Sequence, residues 1–179
     1  MNNGKLTEKS LSALLLALIL LLPACGKTKP QSPSNRRGET QQDTAAMALV
    51  LMNQRLAEQA DKEVLEYVRL QDAPQYALAN AGYWTRRLLR TDNQQIDRQA
   101  TLDIRLLIYN LQGQMLIDSR ETVSIPEGNL IFPVVETLWS MNYGESAELV
   151  IPWYAAFGAA GNSFVPPYTN VKIIIETYN

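Results

Sequence analysis

From residue 83 to the C-terminus, the chain consists mainly of short runs in which apolar and polar residues alternate. Alternation with a period of two is typical of β-strands that bury one face. The turn-prone stretches "DNQQ", "NLQG" and "IPEGN" lie between or after the earlier of these runs. We therefore predict strands at "YWTRRLLRT" (83–91), "ATLDIRLLIY" (100–109), "GQMLID" (113–118) and "TVSI" (122–125).

Two further alternating runs, "ESAELVI" and "VKIIIETY", lie near the C-terminus and flank a loop. Their inward-facing residues are predicted to be Ala147, Leu149 and Ile151 in the first run and Val171, Ile173 and Ile175 in the second. The loop is unusual, because loops that face water are mostly polar. It contains Trp153, Tyr154, Phe157, Phe164, Val165, Pro166, Pro167 and Tyr168. This composition requires an explanation beyond chain reversal.

A short helix is predicted over "LIFPVVETLWSM", just before the fifth run. Asn129 can cap it, and Pro133 falls in the first turn, where proline is tolerated. Gly144 can end it in a left-handed conformation. The apolar face of the helix consists of Leu130, Val134, Leu138 and Met141. We therefore expect an α+β fold, in which a curved antiparallel sheet wraps around one short helix.

A longer helix is predicted over residues 45–70, within an N-terminal helical segment 44–74 that precedes a domain over residues 75–179. Asp43 or Thr44 can cap it. Its apolar positions are Met47, Leu51, Val64, Leu65 and Val68, interrupted by Gln54, Glu58 and Asp61. We interpret this stripe as the face that docks on the domain, and a helix that binds a partner or a second copy is the alternative.

The first 25 residues have the pattern of a targeting signal. Lys5 and Lys9 precede an apolar stretch over 11–22, which is too short to span a bilayer as a mature helix. The stretch ends at "LPAC", and Cys25 is the single cysteine of the chain. This resembles a bacterial lipoprotein signal peptide over residues 1–24, with Cys25 as the lipid-modified residue. An ordinary secretory peptide is the alternative.

The lipoprotein pattern implies a protein that is anchored to a membrane without spanning it. Residues 25–43 are polar and contain Pro, Ser and Gly, so we predict a flexible tether between lipid and domain. Gly26 follows the cysteine in place of aspartate, which by resemblance to enterobacterial sorting favours the outer membrane. The expected location is the bacterial cell envelope, with the domain facing the periplasm.

Composition excludes several kinds of chemistry. The sequence has no histidine and one cysteine, so Ser-His and Cys-His nucleophile pairs and histidine or thiolate metal sites are not expected. Its net charge is −2 and no basic block is present, which argues against a nucleic-acid partner. No glycine-rich phosphate motif occurs. We therefore expect neither a cofactor nor a metal. We interpret Glu145 and Glu148 as carboxylates that face solvent.

The stretch "MNYGESAELVIPWYAAFGAAGNSFVPPYTNVKIIIETY" resembles the C-terminal half of FKBP-type peptidyl-prolyl isomerases. The matching elements, in order, are Met141, Gly144, Ile151-Pro152, Phe157-Gly158, Val165-Pro166-Pro167 and the strand 171–176. Upstream, "IYNLQGQMLIDSR" is similar to the family's strand–turn–strand. The stretch "QYALANAGYWTRRL" resembles lipoprotein members that are associated with gliding motility. The resemblance covers residues 75–179 and implies the family's fold.

The resemblance also implies a function that needs no histidine, thiol or metal. Rotation about an X-Pro bond faces a barrier of about 20 kcal/mol, because the planar amide resonance must be broken. An apolar hollow favours the twisted amide over the planar one. The implied activity is therefore prolyl isomerisation on proline-containing protein segments. The alternatives are a weakly active or inactive module that binds clients or partners, and a structural lipoprotein that acts through helix 45–70.

The family's site residues can be carried over to this sequence by the resemblance. Val134 would form the floor of the hollow, and the Val165 amide would anchor a substrate carbonyl. Asp118 would fill an acidic position on the wall, with Ile117 as the alternative for that place. The remaining lining would be Leu106, Leu116, Leu130, Ile131, Phe157 and Ile173.

Three of these positions, and a fourth at Glu121, depart from the family pattern. The family usually has tryptophan where Val134 stands and tyrosine where Phe157 stands. Wall aromatics of the family align with Glu121 and Ile173. Aromatic and hydroxyl contacts contribute to ligand binding. These departures therefore predict that the protein binds macrocyclic ligands of the family more weakly than typical members do.

Overall fold

The computed structural model of the protein describes residues 36–71, 75–125 and 127–178. The predicted signal peptide, Cys25 and the first part of the expected tether lie outside these residues. The chain divides into two compact units, residues 1–44 and 45–179. In the first unit, the described residues are helical. The second unit contains the six-stranded sheet and the residues of both hydrophobic cores.

Helix α1 spans Arg36–Leu70. It begins earlier than the predicted start near residue 45, so residues 36–43, which were expected in the flexible tether, are helical. The stretch contains no proline, and its Arg, Glu and Gln residues favour a helix that continues through Gly38. Among the described residues, no helix is both long enough and apolar enough to cross a bilayer.

The described strands form one antiparallel sheet of six strands, in the order β1-β2-β5-β6-β3-β4. The strands are β1 (Ala77–Leu78), β2 (Trp84–Leu89), β3 (Thr101–Asn110), β4 (Met115–Ser124), β5 (Ser146–Ile151) and β6 (Val171–Thr177). The central strand β6 carries the predicted alternation, with Val171, Ile173 and Ile175 buried. The predicted antiparallel sheet with one short helix is confirmed.

Strand β4 differs from the prediction, which divided it into two strands at "SRE". Residues 115–124 form one strand that pairs with β3 along its length. Because β4 lies at the edge of the sheet, Arg120 and Glu121 remain exposed there. Polar residues on an exposed edge do not interrupt backbone pairing, and charged residues are common at such edges.

Helix α2 spans Phe132–Trp139 and packs on one face of the sheet. Its N-cap is Ile131, without a side-chain hydrogen bond, so the predicted cap at Asn129 is wrong. Pro133 lies in the first turn as expected, because the N–H that proline lacks has no helical partner there. Gly144 has φ +80°, which confirms the left-handed glycine after the helix.

The two faces of the sheet have different cores. On one face, α2 packs over the inward residues of β3, β5 and β6, with Leu138, Leu149 and Ile173 almost fully buried. On the other face, Val64 and Val68 of α1 pack with Tyr76 and Val150. The helix 45–70 is therefore docked on the domain through its C-terminal half.

Glu145 and Glu148 are buried, so the prediction that both are solvated is wrong. Both residues are 5% exposed, and each carboxylate pairs with an arginine of β2. Glu148 lies 3.3 Å from Arg86, and Glu145 lies 3.3 Å from Arg87. The Tyr76 hydroxyl also donates to Glu148, and burial together with this carboxylate raises the pKa of Tyr76. The ion pairs compensate the cost of burying these two carboxylates. The alternating pattern of the strand alone would have placed them in water.

Candidate functional site

A hollow of about 170 Å³ lies between the start of α2, strands β3, β4 and β6, and the loop that follows β5. Most of its lining is apolar. The lining residues are Leu106, Ile108, Ile117, Ser119, Glu121, Asn129, Leu130, Ile131, Val134, Phe157, Asn162 and Ile173. Six elements or loops therefore contribute to one surface, and the sheet register decides which side chains meet there.

The apolar wall is built by neighbouring strands in register. Ile108 of β3 lies opposite Ile117 of β4 on one side and opposite Ile173 of β6 on the other. Residues opposite each other on adjacent strands share a face, so these three isoleucines form a row. Leu106 lies on the same face, two residues before Ile108. Val134 of α2 is 1% exposed and closes the hollow from the helix side.

The loop between β5 and β6, residues 152–170, forms the remaining wall through Phe157. A 3₁₀ turn at Trp153–Ala155 begins the loop. The Trp153 N–H donates to Asn170 Oδ1 at 2.9 Å, which joins its two ends. The Gly158 N–H donates to the Trp153 carbonyl at 2.8 Å. Backbone and side-chain bonds thus fix the segment that carries Phe157.

Helix α1 also holds this loop. Asn170 Nδ2 donates to Glu63 Oε2 at 2.8 Å, and the Tyr154 hydroxyl donates to Asp61. The Trp153 indole N–H points to the Leu56 carbonyl at 3.4 Å. Burial and the Asp61 carboxylate raise the pKa of Tyr154 to about 12. The helix that covers the far face of the sheet therefore contacts the base of the loop that carries Phe157.

The tip of the loop is a tight turn closed by Asn162. Asn162 Oδ1 accepts the Val165 N–H at 2.7 Å and the Phe164 N–H at 2.8 Å. The Asn162 N–H donates to the Val165 carbonyl at 2.9 Å. Gly161 has φ +64°, and a Cβ there would lie 2.2 Å from the Val165 carbonyl oxygen. Glycine is therefore required at 161, and the Val165 amide is occupied within the turn.

Seven of the predicted site residues meet in the hollow. They are Leu106, Ile117, Leu130, Ile131, Val134, Phe157 and Ile173. Glu121, which the resemblance placed on the wall, also lines it. The polar groups of the lining, Ser119, Glu121, Asn129 and Asn162, offer hydrogen-bonding positions beside the apolar surface.

The structure places three other predicted residues elsewhere. Asp118 is exposed and accepts two hydrogen bonds from Arg105, both at 2.9 Å, which hold the pKa of Asp118 below its ordinary value. Leu116 lines a separate groove of about 390 Å³, together with Phe164. Val165 is fully buried behind the loop tip. Because side chains alternate along β4, Ile117 faces the hollow and its neighbours do not.

Four lining residues, Ile108, Ser119, Asn129 and Asn162, were not predicted as site residues. Ile108 could have been found by alternation, since it lies two residues after Leu106 on the same strand. Ser119 likewise lies two residues after Ile117 on strand β4 and so shares its face. Asn129 was interpreted as a helix cap. Asn162 had no signal beyond a turn-forming "GN", because its role depends on where the loop tip folds back.

The apolar lining of this hollow favours non-covalent binding of an apolar group. Among the lining residues, none is a histidine, cysteine or lysine. Within the described part of the chain, no group of three or more His, Cys, Asp or Glu residues could hold a metal ion. The hollow can accept an apolar ring, exclude water from it and offer amide and hydroxyl groups at its edge.

Comparisons with solved structures identify the fold. The chain is similar to a peptidyl-prolyl cis-trans isomerase from Pseudomonas syringae pv. tomato, with TM-score 0.56 and 22% identity over 69% of this chain and 94% of that one. It is also similar to FkpA from Escherichia coli, with TM-score 0.59 and 14% identity over 97% of this chain and 81% of that one.

A multi-domain immunophilin from Arabidopsis thaliana matches with TM-score 0.50 and 18% identity, over 57% of this chain and 43% of that one. No family model matches the sequence, and no curated protein matches it. At these identities the structural likeness establishes the fold, which is FKBP-like. Function has to be argued from the hollow itself.

Proposed function

We propose that the protein is a peptidyl-prolyl cis-trans isomerase that acts on X-Pro bonds of extracytoplasmic proteins. The observation that carries the proposal is the apolar hollow bounded by Val134, Phe157 and the isoleucine row of β3, β4 and β6. It lies at the surface of an FKBP-like fold, and residues from separate elements converge on it. A proline ring is the apolar, compact group that such a hollow suits.

The lining explains how rotation about the X-Pro bond would be accelerated. The planar amide is the more polar state because resonance places charge on its oxygen, and the twisted state has less of that resonance. Transfer from water to an apolar surface therefore costs the planar state more than the twisted state. Val134 and Phe157 would hold the ring while the peptide bond turns. No nucleophile and no proton transfer are needed.

The comparisons support the proposal at the level of fold. One similar structure carries the name peptidyl-prolyl cis-trans isomerase. The position of the hollow, between the short helix and the sheet, also agrees with the site that the family resemblance implies for this sequence. Seven of the residues that the resemblance implies for the site line this hollow.

We also propose that the protein works at the bacterial envelope. The pattern at residues 1–25 supports lipid attachment at Cys25 and a domain in the periplasm, and Gly26 favours the outer membrane. The resemblance of "QYALANAGYWTRRL" to lipoproteins associated with gliding motility agrees with this location. Palmitate labelling of wild type and Cys25→Ser tests the anchor: we expect label in the wild type alone, and label in the variant would contradict it.

A second function is favoured by specific residues of the hollow. Val134 stands where the family usually has tryptophan, Phe157 lacks a hydroxyl, and the charged Glu121 lines the wall. These features reduce the contacts available to hold a substrate in one orientation. The alternative is therefore a catalytically weak or inactive FKBP-like lipoprotein, which uses the same hollow to bind client or partner proteins.

A protease-coupled assay with a prolyl peptide separates the two functions. We expect the purified full chain to increase the cis-to-trans rate above the spontaneous rate, in proportion to its concentration. A rate equal to the spontaneous one would contradict the isomerase proposal. In that case, suppression of aggregation of an unfolded client protein would favour the binding module, and its absence would contradict both functions.

A further inference from the structure

The apolar hollow has one acidic residue in its wall. Among the residues that line it, Glu121 alone has an acidic or basic side chain. Ile117, Ser119 and Glu121 share one face of β4, because side chains alternate along a strand. Glu121 also lies opposite Ile104 of β3, which is 0% exposed in the core that α2 covers. The register therefore places the Glu121 side chain on the face of the sheet that carries the hollow.

The carboxylate of Glu121 has no cationic partner within the part of the chain that the structure describes. Glu121 is exposed, and no described arginine or lysine forms an ion pair with it. The arginines of β3 and β4 lie on the opposite face of the sheet by alternation. Arg105 pairs there with Asp118, and Arg120 lies over the ring of Tyr178 at 4.2 Å. The negative charge at the hollow is therefore available to a ligand.

We infer that Glu121 forms a subsite for a cationic side chain, lysine or arginine, next to the proline of a bound segment. This inference rests on the proposed function and names the class of segment that the hollow prefers. A carboxylate attracts an ammonium or guanidinium group and repels the carboxylates of an acidic segment. For an apolar segment Glu121 is a poor contact, whereas a cationic segment gains an ion pair there.

The spacing along β4 allows one segment to reach both places. Ile117 belongs to the isoleucine row that contacts the proline ring, and Glu121 lies four residues further along, or about 13 Å. A residue next to the proline has its Cα about 3.8 Å from the proline Cα across a trans peptide bond. The long side chain of lysine or arginine, together with that of Glu121, covers the remaining distance. Ser119 lies between Ile117 and Glu121, and its hydroxyl can accept a hydrogen bond from an ammonium group.

Three peptides that differ only in the residues on both sides of the proline test the inference. These residues are lysine, glutamine or glutamate, and NMR measures Kd and the catalysed cis–trans exchange rate with the full chain. We expect the order Lys, Gln, Glu, with the lysine peptide favoured about fivefold over the glutamate peptide. Equal values for the three peptides would overturn the inference and leave the proposed function intact. A lack of both binding and catalysis with all three would overturn both.

Two variants with a control assign the preference to Glu121. In Glu121→Gln the ratio between the lysine and glutamate peptides should fall below about twofold, and Glu121→Lys should reverse their order. Glu58→Gln removes the same charge from an exposed position on α1, which covers the other face of the sheet. At an ionic strength of about 0.1 M this control should keep the wild-type ratio. Equal changes in Glu121→Gln and Glu58→Gln would show an effect of net charge and overturn the inference.

Ionic strength gives a readout that needs no mutation. At about 1 M salt the screening length is about 3 Å, so attraction between exposed charges is largely lost. The ratio between the lysine and glutamate peptides should fall toward one in the wild type and change little in Glu121→Gln. A wild-type ratio that persists at high salt would show that contacts other than the charge of Glu121 cause the preference, and would overturn the inference.

Discussion

Asn170 Oδ1 accepts the backbone N–H of Trp153 at 2.9 Å and so closes the loop between β5 and β6 at its base. Its Nδ2 group donates to Glu63 of α1 at 2.8 Å. One buried carboxamide therefore joins the start of the loop, the end of the loop and the N-terminal helix. Because Phe157 and Asn162 belong to this loop, their placement in the hollow depends on it.

Asn170→Ala tests this connection. Removal of the acceptor leaves the Trp153 N–H without a partner, so we expect the free energy of unfolding to fall by about 2 kcal/mol in urea denaturation. Hydrogen exchange of the Trp153 amide should become faster. Gln112→Ala, at an exposed amide side chain of the β3–β4 turn, is the control and should have almost no effect. Equal stability of the two variants would contradict the connection.

The docking of α1 predicts different costs for two valines of the same helix. Val64 is 2% exposed and packs with Val68 against the sheet, whereas Val50 is 54% exposed. Val64→Ala should reduce the free energy of unfolding by about 2 kcal/mol, through lost burial and the cavity that remains. Val50→Ala should change it by less than about 0.5 kcal/mol. Similar values would contradict docking through the C-terminal half.

Neighbouring residues of β4 predict opposite outcomes in catalysis. Ile117 lines the hollow, while Asp118 is exposed and paired with Arg105. Ile117→Ala should lower kcat/KM about tenfold in the prolyl-peptide assay, because it removes apolar contact with the substrate. Asp118→Asn should leave it within about twofold, because an exposed ion pair contributes little. A larger loss for Asp118→Asn would restore the role that the sequence resemblance assigned to it.

The burial of Tyr83 predicts that the free energy of unfolding decreases at alkaline pH. Its ring is almost fully buried, its hydroxyl donates to Glu136 Oε2 at 2.9 Å, and burial raises its pKa from 10.0 to about 12. In the unfolded chain the phenol loses its proton at lower pH than in the folded one. The stabilisation is therefore fully present below about pH 10 and is lost as the pH rises through about 12.

Tyr83→Phe measures this contribution. The variant cannot ionise and lacks the hydrogen bond, so we expect it to be about 1 kcal/mol less stable than the wild type near neutral pH. The difference in unfolding free energy should narrow as the pH rises from about 10 to about 12. Because other tyrosines titrate in both proteins, the difference isolates Tyr83. A difference that stays constant over this range would contradict the assignment.

The family resemblance, together with periodicity, predicted much of the hollow. Alternation on β6 placed Ile173 inward, and the resemblance added Val134, Phe157 and Ile117, all of which line one surface. Ile117, Ile173 and Val134 follow local rules, since strand residues alternate and a helix presents one apolar face, whereas Phe157 lies in the loop between β5 and β6. The FKBP-like arrangement follows from the order of such elements along the chain.

The remaining features depend on contacts between distant residues. Glu145 and Glu148 are buried and paired with arginines of β2. The residue pattern of a single strand does not reveal such partners on another strand. The helix over the far face also buries positions that alternation would leave in water. The position of Asn162 arises from a turn in which its side-chain oxygen accepts the Phe164 and Val165 N–H groups. Which distant residues come into contact depends on the strand register and on how the loop closes.

Two phenylalanines of the same loop allow the most direct test of the central claim, that the hollow carries the isomerase activity. Phe157 lines the hollow, whereas Phe164 is 69% exposed and lies outside it. The measurement is kcat/KM for a prolyl peptide with wild type, Phe157→Ala and Phe164→Ala, each checked for folding by circular dichroism. We predict a loss of about tenfold or more for Phe157→Ala and a value near wild type for Phe164→Ala. Equal values for all three proteins, or the spontaneous rate with the wild type, would contradict the account.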